Sequence, residues 1–364
     1  MKRELMGQVV PITSAIAFGG LGGFLAEWLG FPMPFLLGSF GVSMALALSR
    51  FQGFGTSPAL PMGIRNIFVA VIGVMIGGAF TPGLWGEVRE LWLPALAIIG
   101  FVLLALASNY LIFRKLGRFD PVTAYYAAMP GGLIESIALG EKAGGDVKKL
   151  SIQQFLRIAF VITLVPTILQ FWTGTPVGSA AGVRLEVVDA EIALTDYAIL
   201  FLCGLIGLYG GNFIRLPAAI LTGPLILSGI AHGTGLTEAS LPEFVINLAQ
   251  VIVGAGLGFR FKAFGVVQLL RSTALAIASV FSMLIYGALI ALLLTRLTDL
   301  PFTVLFIAFA PGGVTETALI ALSLSASPVI VTTLHVFRIG VAVGLITIGT
   351  KLVRQQGHAN DDPA

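Results

Sequence analysis

The sequence predicts an all-α, polytopic membrane protein made of two inverted repeats, each with about five transmembrane helices and one re-entrant Pro-Gly-Gly hairpin. Three observations carry this. The 364-residue chain is 57% hydrophobic and 11% charged, with a mean hydropathy of +0.97, whereas soluble domains carry about 25% charged residues. Its apolar runs are long and continuous, unlike the roughly ten-residue alternating strands of a membrane barrel. Finally, Pro130-Gly131-Gly132-Leu133-Ile134-Glu135-Ser136 returns 181 residues later as Pro311-Gly312-Gly313-Val314-Thr315-Glu316-Thr317.

Twelve apolar segments are legible. Those near 8–29, 33–49, 64–82, 91–113, 121–141 and 151–173 make a first membrane repeat over 8–173. Those near 192–213, 217–234, 243–259, 269–295, 301–325 and 328–350 make a second over 192–353. A polar stretch with Arg184, Glu186, Asp189 and Glu191 is the linker, 174–191, and 354–364 is a short polar tail. The basic start, Met1-Lys2-Arg3-Glu4, imitates a signal peptide, but no clear small-residue cleavage site follows and further spans do, so it reads as a retained first helix.

The duplication extends beyond the motif. Asn66, Gly73 and Gly77 match Asn247, Gly254 and Gly258 at the same offset of 181, Arg157 matches Arg338, and Gln154 matches His335. Pro32 and Gly38 match Pro217 and Gly223 at 185. Charge decides the orientation of the copies. If all twelve segments cross, Lys and Arg divide 11 inside to 8 outside; if the two Pro-Gly-Gly segments dip in and return, the division is 16 to 3. The positive-inside rule prefers the second arrangement. Five crossings per half, an odd number, turn the second copy upside down.

A helix breaker followed by a carboxylate is costly in a bilayer, because freed backbone groups and a charge both lack water there. At each tip proline lacks an N–H and disfavours helix in the residue before it. Gly131-Gly132 and Gly312-Gly313 permit a tight turn. The second arm then begins with unpaired N–H groups and the positive end of its dipole, a natural anion site. Glu135 and Glu316 either cap those donors or also coordinate substrate, a coupling proton or a cation.

Arg157 and Arg338 lie inside the last apolar segment of each half, and the tip glutamates are their expected partners, in structural salt bridges or beside a bound anion. Gln154 and His335, three residues earlier, share their helix face; His335 is either a satisfied hydrogen-bonding residue or a proton relay. Asn66 and Asn247 either cap helices or line the cavity. The Gly-x-x-x-Gly pairs 73/77, 254/258, 19/23 and 207/211 read as helix-packing seams.

The pI of about 9.1 does not indicate nucleic acid, because the basic residues sit at segment ends. Cys203 is the only cysteine, which excludes an intrachain disulfide. His232, His335 and His358 are far apart, and no nucleotide loop, dinucleotide fingerprint or nucleophile elbow is present. The expectation is therefore a protein that is not an enzyme and carries no cofactor or metal.

The duplicated halves, with Pro130–Glu135, Asp146 and Arg157 in one and Pro311–Glu316 and Arg338 in the other, resemble the membrane AbrB family, from about Ala15 to Thr350. That resemblance brings two inherited labels, ammonia monooxygenase and regulator of gene expression. No copper or iron ligand set answers the first and no DNA-binding domain the second, so any regulatory effect is expected to be indirect. The reading is a secondary transporter of a small metabolite, anions among the candidates, in the bacterial inner membrane, with both termini cytoplasmic. Its site lies at the two tips, with Asn66 and Asn247 alongside, and homo-oligomerisation is left open. A membrane-embedded sensor is the alternative, and an intramembrane oxygenase comes last.

Overall fold

The computed structural model describes residues 2–52, 56–80, 91–174, 194–324 and 326–360, with side chains between Val9 and Gly349. The expected linker therefore falls outside the described residues except for Gly174. Helices follow one another in the expected order. The first half gives α1 (Lys2–Trp28), α2 (Pro34–Leu48), α3 (Met62–Gly78), α4 (Trp92–Leu111), α5 (Pro121–Ala127), α6 (Leu133–Lys142) and α7 (Val147–Thr173). The second gives α8 (Leu194–Phe213), α9 (Ala219–Gly233), α10 (Glu243–Gly258), α11 (Val266–Leu294), α12 (Phe302–Phe309), α13 (Val314–Ser323) and α14 (Pro328–Asn360).

Seven of the described helical segments are long and apolar enough to cross a membrane. Three others, α2, α3 and α9, have 15, 17 and 15 residues. At 1.5 Å per residue these reach roughly 22–26 Å, short of a ~30 Å hydrocarbon core. The last helix, α14, continues past its apolar stretch as far as Asn360. Its Lys, Arg and Gln residues are good helix formers, so the helix outlasts the apolar stretch.

The chain forms two units, and each takes parts of both halves. One comprises residues 1–85, 163–266 and 318–329; the other comprises 86–162, 267–317 and 330–364. In the first, α2 packs on α1 and α10, while α9 packs on α8 and α3. The third helix of each half thus leans on the second helix of the other half.

Glycines make those approaches. A Cβ at Gly73 would strike the Leu221 carbonyl oxygen and one at Gly254 the Leu36 carbonyl oxygen, the equivalent place in the other half. Gly77 meets Leu225 as Gly258 meets Phe40. Between first and second helices, Gly22 faces Gly38 as Gly207 faces Gly223. Each Gly-x-x-x-Gly pair read as a seam has both members against a neighbouring helix. With no hydrophobic driving force between helices in lipid, such close backbone packing supplies the dispersion that holds them.

In the second unit the first tip is braced by a core of Phe113, Phe119, Tyr126, Met129, Leu150 and Ile346. Phe101 meets Phe309 edge-on with ring centroids 5.5 Å apart, and the Tyr125 hydroxyl donates to the Leu345 carbonyl at 2.7 Å. Asp120 caps α5 by accepting from the Thr123 N–H at 2.8 Å, and the Thr123 hydroxyl accepts from the Asp146 N–H at 2.8 Å. Asp146 in turn accepts from the N–H groups of Lys148 and Lys149, so one short polar chain ties the start of α5 to the start of α7.

Candidate functional site

Both tips are stop-and-restart points. α5 ends at Ala127 and α6 begins at Leu133; α12 ends at Phe309 and α13 begins at Val314. Arms of 7 and 10 residues in the first half and 8 and 10 in the second are each too short to cross the bilayer alone. Gly132 sits at φ 63°, a left-handed conformation that costs a side-chain-bearing residue roughly 1–2 kcal/mol. A Cβ there would also come within 3.2 Å of Val343.

Ending α5 and α12 inside the protein leaves their last carbonyls without helical partners, and the side chains of α7 and α14 take them. Gln154 Nε2 donates to the Tyr126 carbonyl at 3.1 Å and the Ala127 carbonyl at 3.4 Å. Arg157 Nη1 donates to the Met129 carbonyl. In the second half Arg338 Nη1 donates to the carbonyls of Ala310 and, at 3.3 Å, Phe309, while Nη2 reaches the Gly312 carbonyl at 3.1 Å. His335 Nε2 lies 3.2 Å from the Ala310 carbonyl. A carbonyl only accepts, so that nitrogen is the one carrying hydrogen.

This corrects the expected pairing of arginine with tip glutamate. Both guanidinium groups serve the carbonyl end of the first arm, where the negative pole of the helix dipole favours a cation. The glutamates lie on the far side of each turn. Glu316 folds back over Gly313, where a Cβ would strike its carboxylate, and Glu135 Oε2 lies 3.4 Å from the corresponding position at Gly132. Glu316 is buried and Glu135 is exposed, so two equal motifs present unequal carboxylates.

The unit brings ten of the twelve expected site residues together on matched contacts. Tip glycine Gly131 packs against α14, where a Cβ on it would stand 3.3 Å from Ala342, and Gly312 packs against α7, where a Cβ would stand 3.0 Å from Val161. Ala342 and Val161 are themselves 181 apart, so each tip rests on the last helix of the opposite half. Arg157 and Arg338 are both buried. A buried positive region with carbonyl-clamped, fixed geometry is suited to attracting an anion to the neighbouring helix starts.

The other two, Asn66 and Asn247, belong to α3 and α10 in the first unit, where the Asn247 Oδ1 is buried without a hydrogen-bond partner among the described residues. Sequence reasoning missed Val161 and Ala342. Their signal was an apolar residue one turn beyond each arginine, which the apolar composition around it hides.

The profile of the family described as "Transition state regulatory protein AbrB" matches residues 50–354. The uncharacterized protein YhjN of Bacillus subtilis (strain 168) is 23% identical over 347 residues, covering 91% of this chain and 90% of that protein. The Escherichia coli (strain K12) protein named "Putative regulator AbrB" is 24% identical over 320 residues, covering 87% of this chain and 88% of that protein. With its many apolar helices and a profile match over most of its length, this chain is a multi-pass type of helical protein that belongs to the AbrB family.

Proposed function

We propose that the protein is a secondary transporter of a small anionic metabolite in the bacterial inner membrane, with both termini cytoplasmic. Its halves are inverted repeats, each with five crossings and a re-entrant hairpin, and the two hairpin tips form the site. One observation carries the reading: both tips, both clamping arginines and both tip glutamates lie in one unit, each tip resting on the other half's last helix. An incoming anion is expected at the first N–H groups of α6 and α13, beside Glu135 and Glu316. Their unequal exposure suits a two-sided access cycle in which the carboxylates exchange environments. A coupling proton or cation completes the scheme.

Flux of a panel of labelled carboxylates and inorganic anions in reconstituted vesicles tests it. Glu135→Gln and Glu316→Gln are each expected to slow flux by tenfold or more with an unchanged unfolding temperature. Normal flux in both would reduce the glutamates to caps. The names of the family and of the E. coli relative favour a second reading, a membrane sensor that acts indirectly on gene expression. Saturable anion binding without flux would select it.

Topology has its own test. With Cys203 replaced by alanine, Lys142→Cys and Leu324→Cys are expected to react with an impermeant thiol reagent from opposite faces. Both positions are at the ends of helical segments and outside the buried core. Reaction from the same face would mean that the hairpins cross fully.

A further inference from the structure

The end of α4 holds three cations that neither the tips nor the packing use. Arg114, Lys115 and Arg118, with Tyr110 and Leu111, line an open pocket of about 440 Å³. All three cations are exposed, and among the described residues none has an ion-pair partner. Arg114 Nη1 donates to the Phe119 carbonyl at 2.6 Å, which leaves the rest of its guanidinium facing the pocket mouth.

The backbone that carries these cations is held in a fixed turn. The chain from Ile112 to Leu116 widens into a π-helical turn, closed by the Gly117 N–H on the Ile112 carbonyl at 3.2 Å. Phe113 and Phe119 then stack face to face at 5.6 Å. Leu111 and Leu116, 49% and 69% exposed, flank the cations at the end of a 25-residue apolar span, Trp92–Leu116. Exposed leucines beside exposed cations, with a tyrosine between, are the profile of a bilayer edge: acyl chains on one side, headgroups on the other.

The matching turn in the second half shows that the fold does not need this charge. There the corresponding residues are Thr295, Arg296 and Asp299, one cation and one carboxylate, around a pocket of similar size, about 430 Å³. We infer that Arg114, Lys115 and Arg118 form a binding site for the phosphate of an anionic phospholipid headgroup, with Tyr110 and Leu111 against its glycerol and upper acyl chain. The site is independent of whether the protein transports anything.

The test uses the full-length protein purified in detergent, delipidated, and titrated with dihexanoyl phosphatidylglycerol, dihexanoyl phosphatidylcholine or inorganic phosphate, with the unfolding temperature as readout. Phosphatidylglycerol is expected to stabilise the wild type at concentrations about tenfold or more below phosphatidylcholine. Lys115→Gln combined with Arg118→Gln removes that preference, and Arg296→Gln leaves it intact. Among the described residues neither Lys115 nor Arg118 has an ion-pair partner, so the double variant keeps its fold, which an unchanged response to phosphatidylcholine verifies. Equal responses to the two lipids in the wild type, or a preference that survives the double substitution, overturns the proposal. Stabilisation by inorganic phosphate matching that by phosphatidylglycerol also overturns it, since the ligand would then be the free anion.

Discussion

Arg338→Gln is expected to destabilise the detergent-solubilised protein by about 3 kcal/mol and to abolish flux, with Arg157→Gln costing about half as much. The difference follows from what each side chain holds. Arg338 donates to three carbonyls, of Phe309, Ala310 and Gly312, and Arg157 to one, of Met129. Each buried acceptor left without a donor costs about 1–3 kcal/mol. One term offsets this: His335 still reaches the Ala310 carbonyl. Arg338→Lys separates charge from geometry, because an ammonium keeps the charge but not the planar fork that spans Ala310 and Gly312. Thermal unfolding of the three variants decides. If Arg338→Gln unfolds at or above the wild-type temperature, the clamp does not order the tip.

Gly38→Ala is expected to cost about 3 kcal/mol or to prevent folding, while Gly41→Ala, three residues on, should be neutral or stabilising by up to about 1 kcal/mol. A Cβ at Gly38 would collide with the Gly22 carbonyl oxygen, which is backbone and cannot rotate away. A Cβ at Gly41 has nothing within 4 Å. Both lie in α2, so intrinsic helix preference is the same and the contrast isolates the seam with α1. Comparable unfolding temperatures for the two variants would mean that the helices have room to separate, and that the paired glycines in the second half, Gly207 and Gly223, hold nothing either.

The parts of the fold legible in the sequence are those set by local chemistry. Pro130 and Pro311 remove an N–H and constrain the preceding residue wherever they are placed, so the breaks between α5 and α6 and between α12 and α13 were readable without knowing any neighbour. The seams were readable too, because Gly73, Gly77, Gly254 and Gly258 recur at helical spacing and only a close neighbour rewards a bare backbone in lipid. Apolar run length found the helices, and helix propensity carries α14 beyond its apolar stretch.

The arginines were misread for a physical reason. Opposite charges gathered around one turn look like natural partners in one dimension, but a turn has two ends. The carbonyl end of the first arm lies on the side that faces α7 and α14, and its unmet acceptors claim the guanidinium groups. Which end of the turn an arginine reaches depends on how the helices cross, and no local pattern contains that.

By itself, then, the sequence determined an all-helical, membrane-type chain, broken twice at Pro-Gly-Gly turns and sealed by small residues, because composition, proline and glycine act through the backbone they belong to. Tertiary structure alone decided that α3 packs on α9 and α10 on α2, and that each tip rests on the other half's last helix. It also decided that Arg157 and Arg338 clamp carbonyls and leave Glu316 buried but Glu135 exposed. Those outcomes depend on contacts between residues far apart in the chain, where the winner is set by which buried polar group would otherwise go without a partner.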